Sequence, residues 1–154
     1  MAEEDWKLRF AKERYTKLLE ILSKRMDENE LGEVLRELGA YCAGLGDEVI
    51  MKYRDDFDGF CAFIKKSASG DTIVYDRQKG IIEMASEDRT ECFCPLIGAT
   101  PGVPKAACGC SLGWHEHTWT TLLNKPVRVE LKESLLRGGK RCVFKIAIGG
   151  VDPA

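Results

Sequence analysis

No apolar run in this 154-residue chain approaches the roughly 20 residues that a bilayer-spanning helix needs. Stretches such as Ile146 to Gly150 stop far short, so no membrane partner is expected. The start, Met1-Ala2-Glu3-Glu4-Asp5-Trp6, is acidic and lacks the apolar segment of a secretory signal, which makes a cytoplasmic location the expectation. Basic blocks are missing too. The 23 Lys and Arg mix with 25 Asp and Glu for a net charge of −2, which disfavours nucleic acid as a partner. There is no phosphate-cradling glycine loop, no dinucleotide fingerprint and no Ser-His-Asp order, and Gly149-Gly150 has no helix after it. Repeats, linkers and low-complexity tracts are absent as well. The chain therefore reads as a single domain over 1–154, large enough to bury a core without disulfide staples.

The first part, 1–68, is patterned as helix. Leu8, Ala11, Tyr15, Leu18, Leu19, Leu22 and Met26 recur every three or four residues. A second stripe, Leu31, Val34, Leu35, Leu38, Tyr41 and Cys42, follows a cap expected at Asn29 and ends at Gly44 and Gly46. A third helix is expected over about 54–66, with Phe57, Phe60, Cys61 and Ile64 inward. From there the period becomes two, giving a sheet-plus-helix part over 71–149. Thr72 to Tyr75 and Gly80 to Ala85 form one hairpin; Val127 to Leu136 and Arg141 to Ile148 form another about a Gly138-Gly139 turn. A helix near 111–123, stopped before Pro126, precedes the second hairpin. The fold class is α+β: N-terminal helices and an antiparallel sheet of about four strands with the 111–123 helix packed on it.

What the chain has in quantity is thiol chemistry, concentrated in one place. Cys92, Cys94, Cys108 and Cys110, both histidines and two of three tryptophans fall within residues 92–119. An odd total of seven cysteines in a reducing compartment argues for free thiols, available for metal, for chemistry or for packing. Two Cys-x-Cys pairs can supply four thiolates to zinc, although their spacing is not that of a common zinc finger. Helix geometry puts Cys108, Leu112, His115, Trp119 and Leu123 on one face and Cys110, Trp114 and His117 on another. If the helix starts early, Cys108 and Cys110 cannot share an ion; if it starts at Ser111, they can. The plainer reading makes these thiols small hydrophobes, as it does for Cys42 and Cys61, and leaves His117 facing solvent.

A carboxylate also stands out. With a two-residue turn at Gly138-Gly139, Leu135 pairs with Cys142, Glu133 with Phe144, Leu131 with Ile146 and Val129 with Ile148. Glu133 is then the one charged member of an apolar face, and must be paired, metal-bound or protonated. Alternatively it lies at the sheet edge in water, or a bulge shifts the register.

The run Cys110-Ser-x-Gly113-Trp, Trp119, Lys125-Pro-Val-x-Val-Glu130-Leu, Glu133-Ser-x-Leu-x-Gly138-Gly-x-x-Cys142-x-Phe144 resembles small bacterial and archaeal proteins related to the 4-vinyl-reductase domain. These share the fold class of haem-type nitric-oxide sensors and Golgi-transport adaptors, and a similar ending occurs in amino-thiazoline-carboxylate hydrolase-like proteins. The resemblance covers roughly 90–148, with a thin Leu38-Gly39-x-x-Cys42 signature before it. It implies a domain that holds a small hydrophobic molecule, with a zinc near the pocket in some relatives, held by cysteines and one glutamate. By position, Cys142 and either Cys108 or Cys110 match those cysteines. Glu133 is the nearest carboxylate, Ser134 stands where such sensors carry a cysteine, and Cys92 and Cys94 are available to compensate.

Three functions follow as expectations. The first is a stand-alone binding domain for a small hydrophobic molecule, with His115, Trp119 and Glu133 at the pocket and Cys92, Cys94, Cys108, Cys110 and Cys142 as zinc candidates. The second is a hydrolase using zinc-activated water with Glu133 as base, or a thiolate of Cys108 or Cys110 at a helix N-terminus. The third is a module that pairs with a partner or as a homodimer, through the N-terminal helix with Trp6, Phe10 and Tyr15; the plainer alternative is that these aromatics cover the domain's own sheet.

Overall fold

The computed structural model describes residues 3–67 and 71–149. Four helices come first: α1 (Glu3–Ser23), α2 (Glu28–Gly44), α3 (Asp47–Met51) and α4 (Phe57–Ser67). Strands β1 (Thr72–Asp76) and β2 (Ile81–Ala85) make a hairpin, and an irregular stretch runs over 86–104. A 3-10 turn (Lys105–Cys108) then leads into α5 (Gly109–Leu123), followed by β3 (Val127–Glu133) and β4 (Val143–Ile148). The expected α+β class is what the structure shows. All strand pairs are antiparallel, in the order β1-β2-β4-β3, so β4 inserts between its hairpin partner and the first hairpin.

The apolar sheet face carries Ile82 and Met84 from β2, Val129 from β3, and Phe144 and Ile146 from β4, all buried. Trp119 and Leu122 of α5 and Phe60 of α4 close this core, with Trp119 fully buried and edge-on to Phe60 at 5.6 Å. A second cluster lies on the other side of α5's N-terminal end. Leu19 of α1, Leu31 and Leu35 of α2, Ile97 of the irregular stretch and Ala106 and Ala107 of the 3-10 turn meet there.

Helix boundaries refine the expectations. The cap of α2 is Asp27, not Asn29: its carboxylate accepts from Glu30 N–H at 2.9 Å while the Glu30 side chain accepts from Asp27 N–H at 3.1 Å. A reciprocal box outweighs a lone Asn because it satisfies two helix-end donors at once. The one-turn-plus α3 between Gly46 and Lys52 was too short to show a period. At its far end α5 stops on Asn124, in left-handed conformation at φ 53°, two residues before Pro126.

Glycine decides how α2 and α5 meet. A Cβ on Gly39 would collide with the carbonyl of Cys110, one on Gly113 with the carbonyl of Arg36, and one on Gly109 with the carbonyl of Gly32. The two helices thus touch backbone to backbone along three successive contacts, which only hydrogen at Cα permits. Arg36 of α2 reinforces the contact by gripping Glu116 of α5 through both carboxylate oxygens, one at 2.8 Å from Nε.

The final hairpin departs from the two-residue turn. Residues 135–137 form a short 3-10 turn capped by the Ser134 hydroxyl, and Val129 pairs with Ile146 and Leu131 with Phe144. That is a shift of two residues, which preserves the faces, until a bulge between Leu131 and Glu133 sets Glu133 opposite Val143.

Gly39→Ala and Gly113→Ala should each cost about 3 kcal/mol or more in urea unfolding, since helix backbones rather than flexible side chains must move. Gly32→Ala, whose added Cβ meets nothing within 4 Å, should instead be neutral or stabilising by roughly 0.5–1 kcal/mol. Equal behaviour of the three variants would show that the glycines are not what brings these helices together.

Candidate functional site

The site is where the end of the sheet, the start of α5 and the irregular stretch converge. The 3-10 turn delivers Cys108 from one side, and α5 begins at Gly109 rather than at Ser111, so Cys108 and Cys110 diverge. The Cys108 thiol donates to Ser134 Oγ at 3.3 Å, a contact buried among the core elements. Cys110 Sγ instead lies 3.7 Å from the Tyr15 hydroxyl of α1. The early helix start thus assigns the two thiols to different partners.

They nevertheless share one cavity. Its wall is made by Cys92, Cys94, Cys108, Cys110 and Cys142, with Ile97, Leu131, Leu135, Leu136 and Phe144 supplying most of its apolar part, and Ser111 and Ser134 adding hydroxyls. All five cysteines singled out in the sequence therefore line a single internal space. Its volume is about 20 Å³, room for one water-sized sphere. The thiols are free. Cys42 joins from α2, near enough to Cys110 and Tyr15 to act on their ionisation, so six of the seven cysteines gather here.

Zinc suits this donor set by chemistry, since thiolates are among its preferred ligands. The positions do not yet suit it: among the described residues no three Cys, His, Asp or Glu side chains stand together as a metal-binding group. Ser134 occupies the place beside Cys108 that a further thiol would need.

The electrostatics are those of a dry pocket. Desolvation raises the pKa of Cys92 and of Cys108, and pushes Cys110 up to about 11 with further help from the neighbouring thiols. Tyr15 is raised as well, first by burial and then by Cys110. This corrects the expectation of an activated thiolate at the α5 N-terminus. Cys108 and Cys110 do sit there, but burial outweighs whatever the helix end offers an anion.

The expected pocket-lining residues divide differently. Trp119 is core, not pocket, and its Nε1 is buried without a hydrogen-bond partner among the described residues. His115 is half-buried with its ring against Phe144, centroids 4.2 Å apart, one residue back from the cavity wall. Glu133 is neither buried in an apolar face nor part of the wall. The bulge leaves it partly exposed, accepting from Lys140 N–H at 3.1 Å with Arg141 3.7 Å away. A carboxylate at a bulged strand end reaches water, and so needs no metal. His117, read as solvent-facing, bonds Asp47 of α3 at 2.7 Å. Tyr15, Cys42 and Ser134 are the site neighbours that the sequence reading did not select. Tyr15 and Cys42 sat on helical stripes that read as core, and Ser134 was noted only as a replaced cysteine.

His115 carries a testable consequence. Burial lowers its pKa to about 4 from 6.5, so the folded protein keeps the ring neutral where the unfolded chain already binds a proton. Its share of stability is then complete above pH 6.5 and lost as pH falls from 6.5 toward 4, by up to about 3 kcal/mol. Urea midpoints measured over this range should fall less steeply for His115→Gln than for the wild type. Parallel curves would mean that the ring protonates freely in the folded state.

Comparison with known proteins bears on the fold. No family model and no curated protein matches the chain. Among solved structures it is similar to trafficking protein particle complex subunit 3 from Naegleria fowleri, a crystal structure of that protein covalently bound to palmitic acid. The TM-score is 0.61 at 11% identity, over 94% of this chain and 96% of that one. At such identity the likeness is one of fold, and it supports the α+β architecture of this chain.

Proposed function

We propose that this protein is a binding module for a small or slender hydrophobic molecule, admitted into the cysteine-lined cavity between α5, residues 86–104 and the β3–β4 end of the sheet. The carrying observation is the wall itself, which pairs an apolar lining with five cysteine side chains around one space. Support comes from the resemblance to 4-vinyl-reductase-related proteins and from the structural neighbour, whose crystal structure holds a palmitic acid. A ligand site of ordinary size takes roughly 300 Å³ or more, so the wall must move to admit one. Residues 86–104 are suited to that, having no regular strand or helix to break.

The reading is checked with palmitate and dodecanoate in a thermal melt of the full chain. Saturation at about a hundredfold excess over Kd should raise Tm by roughly 5–10 °C. Leu135→Trp, which puts an indole on the partly exposed wall, should abolish the shift while keeping the fold. No shift with either acid, or one that Leu135→Trp leaves intact, removes the cavity as the site.

A second reading is favoured by the thiol content. Cys92, Cys108 and Cys142 line the same cavity, and turning their side chains toward one point would create a zinc site. Metal analysis of natively purified protein decides it. About one zinc per chain, lost in Cys108→Ser and in Cys142→Ser, supports the reading; metal-free protein with both variants folded ends it. The hydrolase alternative gains nothing here, because burial protonates the thiols Cys92, Cys108 and Cys110, and Glu133 stands outside the cavity.

A further inference from the structure

The wall of the cavity contains no Asp, Glu, Lys or Arg: thiols, hydroxyls and hydrocarbon make it up. Charge appears one residue beyond it. Ser134, Leu135 and Leu136 line the space, and Arg137 follows them as the last residue of the 3-10 turn. That turn fixes the Arg137 backbone, whose N–H donates to the Ser134 hydroxyl at 3.2 Å. The residue itself is exposed, at the rim of the cavity.

Other charges at this end of the sheet are already engaged. Glu133 accepts from the Lys140 N–H at 3.1 Å, and Arg141 Nε lies 3.7 Å from its other oxygen. The Arg137 guanidinium, by contrast, has no hydrogen bond or ion pair among the described residues. Its charge is nonetheless felt inside. Burial, the largest influence, raises the pKa of Cys108, whereas the Ser134 hydrogen bond and the Arg137 charge lower it, and no carboxylate acts on that thiol. Cys108 is only 7% exposed, so the cation acts past the rim on the inner wall.

An uncharged space with one uncompensated cation at its edge discriminates among apolar molecules by their head groups. The hydrocarbon tail leaves water for the cavity, and an anionic head at the rim meets a guanidinium with no existing partner to displace. The planar fork of Arg suits the paired oxygens of a carboxylate or a phosphate. A neutral head gains little there, and a cationic one is repelled. We infer that, given the cavity as the binding site proposed above, its ligand is an anionic amphiphile, a hydrocarbon chain ending in a carboxylate or a phosphate, and that Arg137 holds the head.

The test is isothermal titration calorimetry of the full chain with decanoate, decyl phosphate, decanol and decylamine, at about pH 8, where the carboxylate and the amine are both charged. The four share one chain and differ in the head alone. At least one anion should bind roughly tenfold tighter than decanol, with decylamine weakest, and that anion identifies the head. Arg137→Gln should remove the advantage while leaving the decanol affinity unchanged. Lys140→Gln removes a nearby cation that does not adjoin the wall, and should leave the preference intact. Both residues are exposed, so circular dichroism and Tm of the variants should match the wild type. Equal affinities for all four ligands leave the cavity as the site and overturn the anionic head. An anion preference that survives Arg137→Gln overturns the role of Arg137. So does one that Lys140→Gln abolishes equally, which would make it an effect of diffuse surface charge. If none of the four binds, the cavity is not the site, and the head-group assignment falls with it.

Discussion

The structure depends on the approach of two helix backbones. Gly39 and Gly113, with Gly109 set against Gly32, let α2 and α5 come together closer than any side chain allows. Apolar burial pulls helices together without direction, but a backbone contact fixes both their distance and their rotation. Once α5 is seated on α2, its other side meets the sheet through Trp119 and Leu122. One helix thereby serves two cores, and the Arg36–Glu116 pair holds it in register.

The same seating composes the cavity. Because Gly109 must face Gly32, the turn of residues 105–108 is pressed against α2 and against the β3–β4 connection, which carries Cys108 to Ser134. Cys110 then points toward α1 and Tyr15. Five thiols line a space of about 20 Å³, and burial raises the pKa of Cys92, Cys108 and Cys110. The burial that raises the pKa of Cys92, Cys108 and Cys110 disfavours their thiolates.

Local pattern accounts for much of what was legible. The stripes of α1, α2 and α4, the β1–β2 hairpin and the stop of α5 before Pro126 all follow from period and punctuation. The gathering of Cys92, Cys94, Cys108 and Cys110 was legible as a concentration of one residue type along the chain, and Cys142 joined them only through the family resemblance. Two readings stayed open until the tertiary contacts were known. Glu133 was set either inside an apolar face or at a bulged, water-facing edge, and the second holds: Ser134 caps a 3-10 turn that lengthens the connection, and the strand bulges before Glu133. The start of α5 was left open between an early one and Ser111, and the structure begins it at Gly109, against the backbone of Gly32.

By itself, the sequence determined the fold class and the order of the main elements, with the short α3 missed. These depend on interactions between residues near in the chain, where periodicity, caps and prolines act directly. Only the tertiary structure decided that Cys108 and Cys110 have different partners, that Tyr15 and Cys42 belong to the thiol cluster, and that Glu133 faces water. Those outcomes are set by helix rotation and strand register, which arise from contacts between residues distant in sequence. A glycine that permits such a contact and a glycine that merely ends a helix look the same until the opposing backbone is in place.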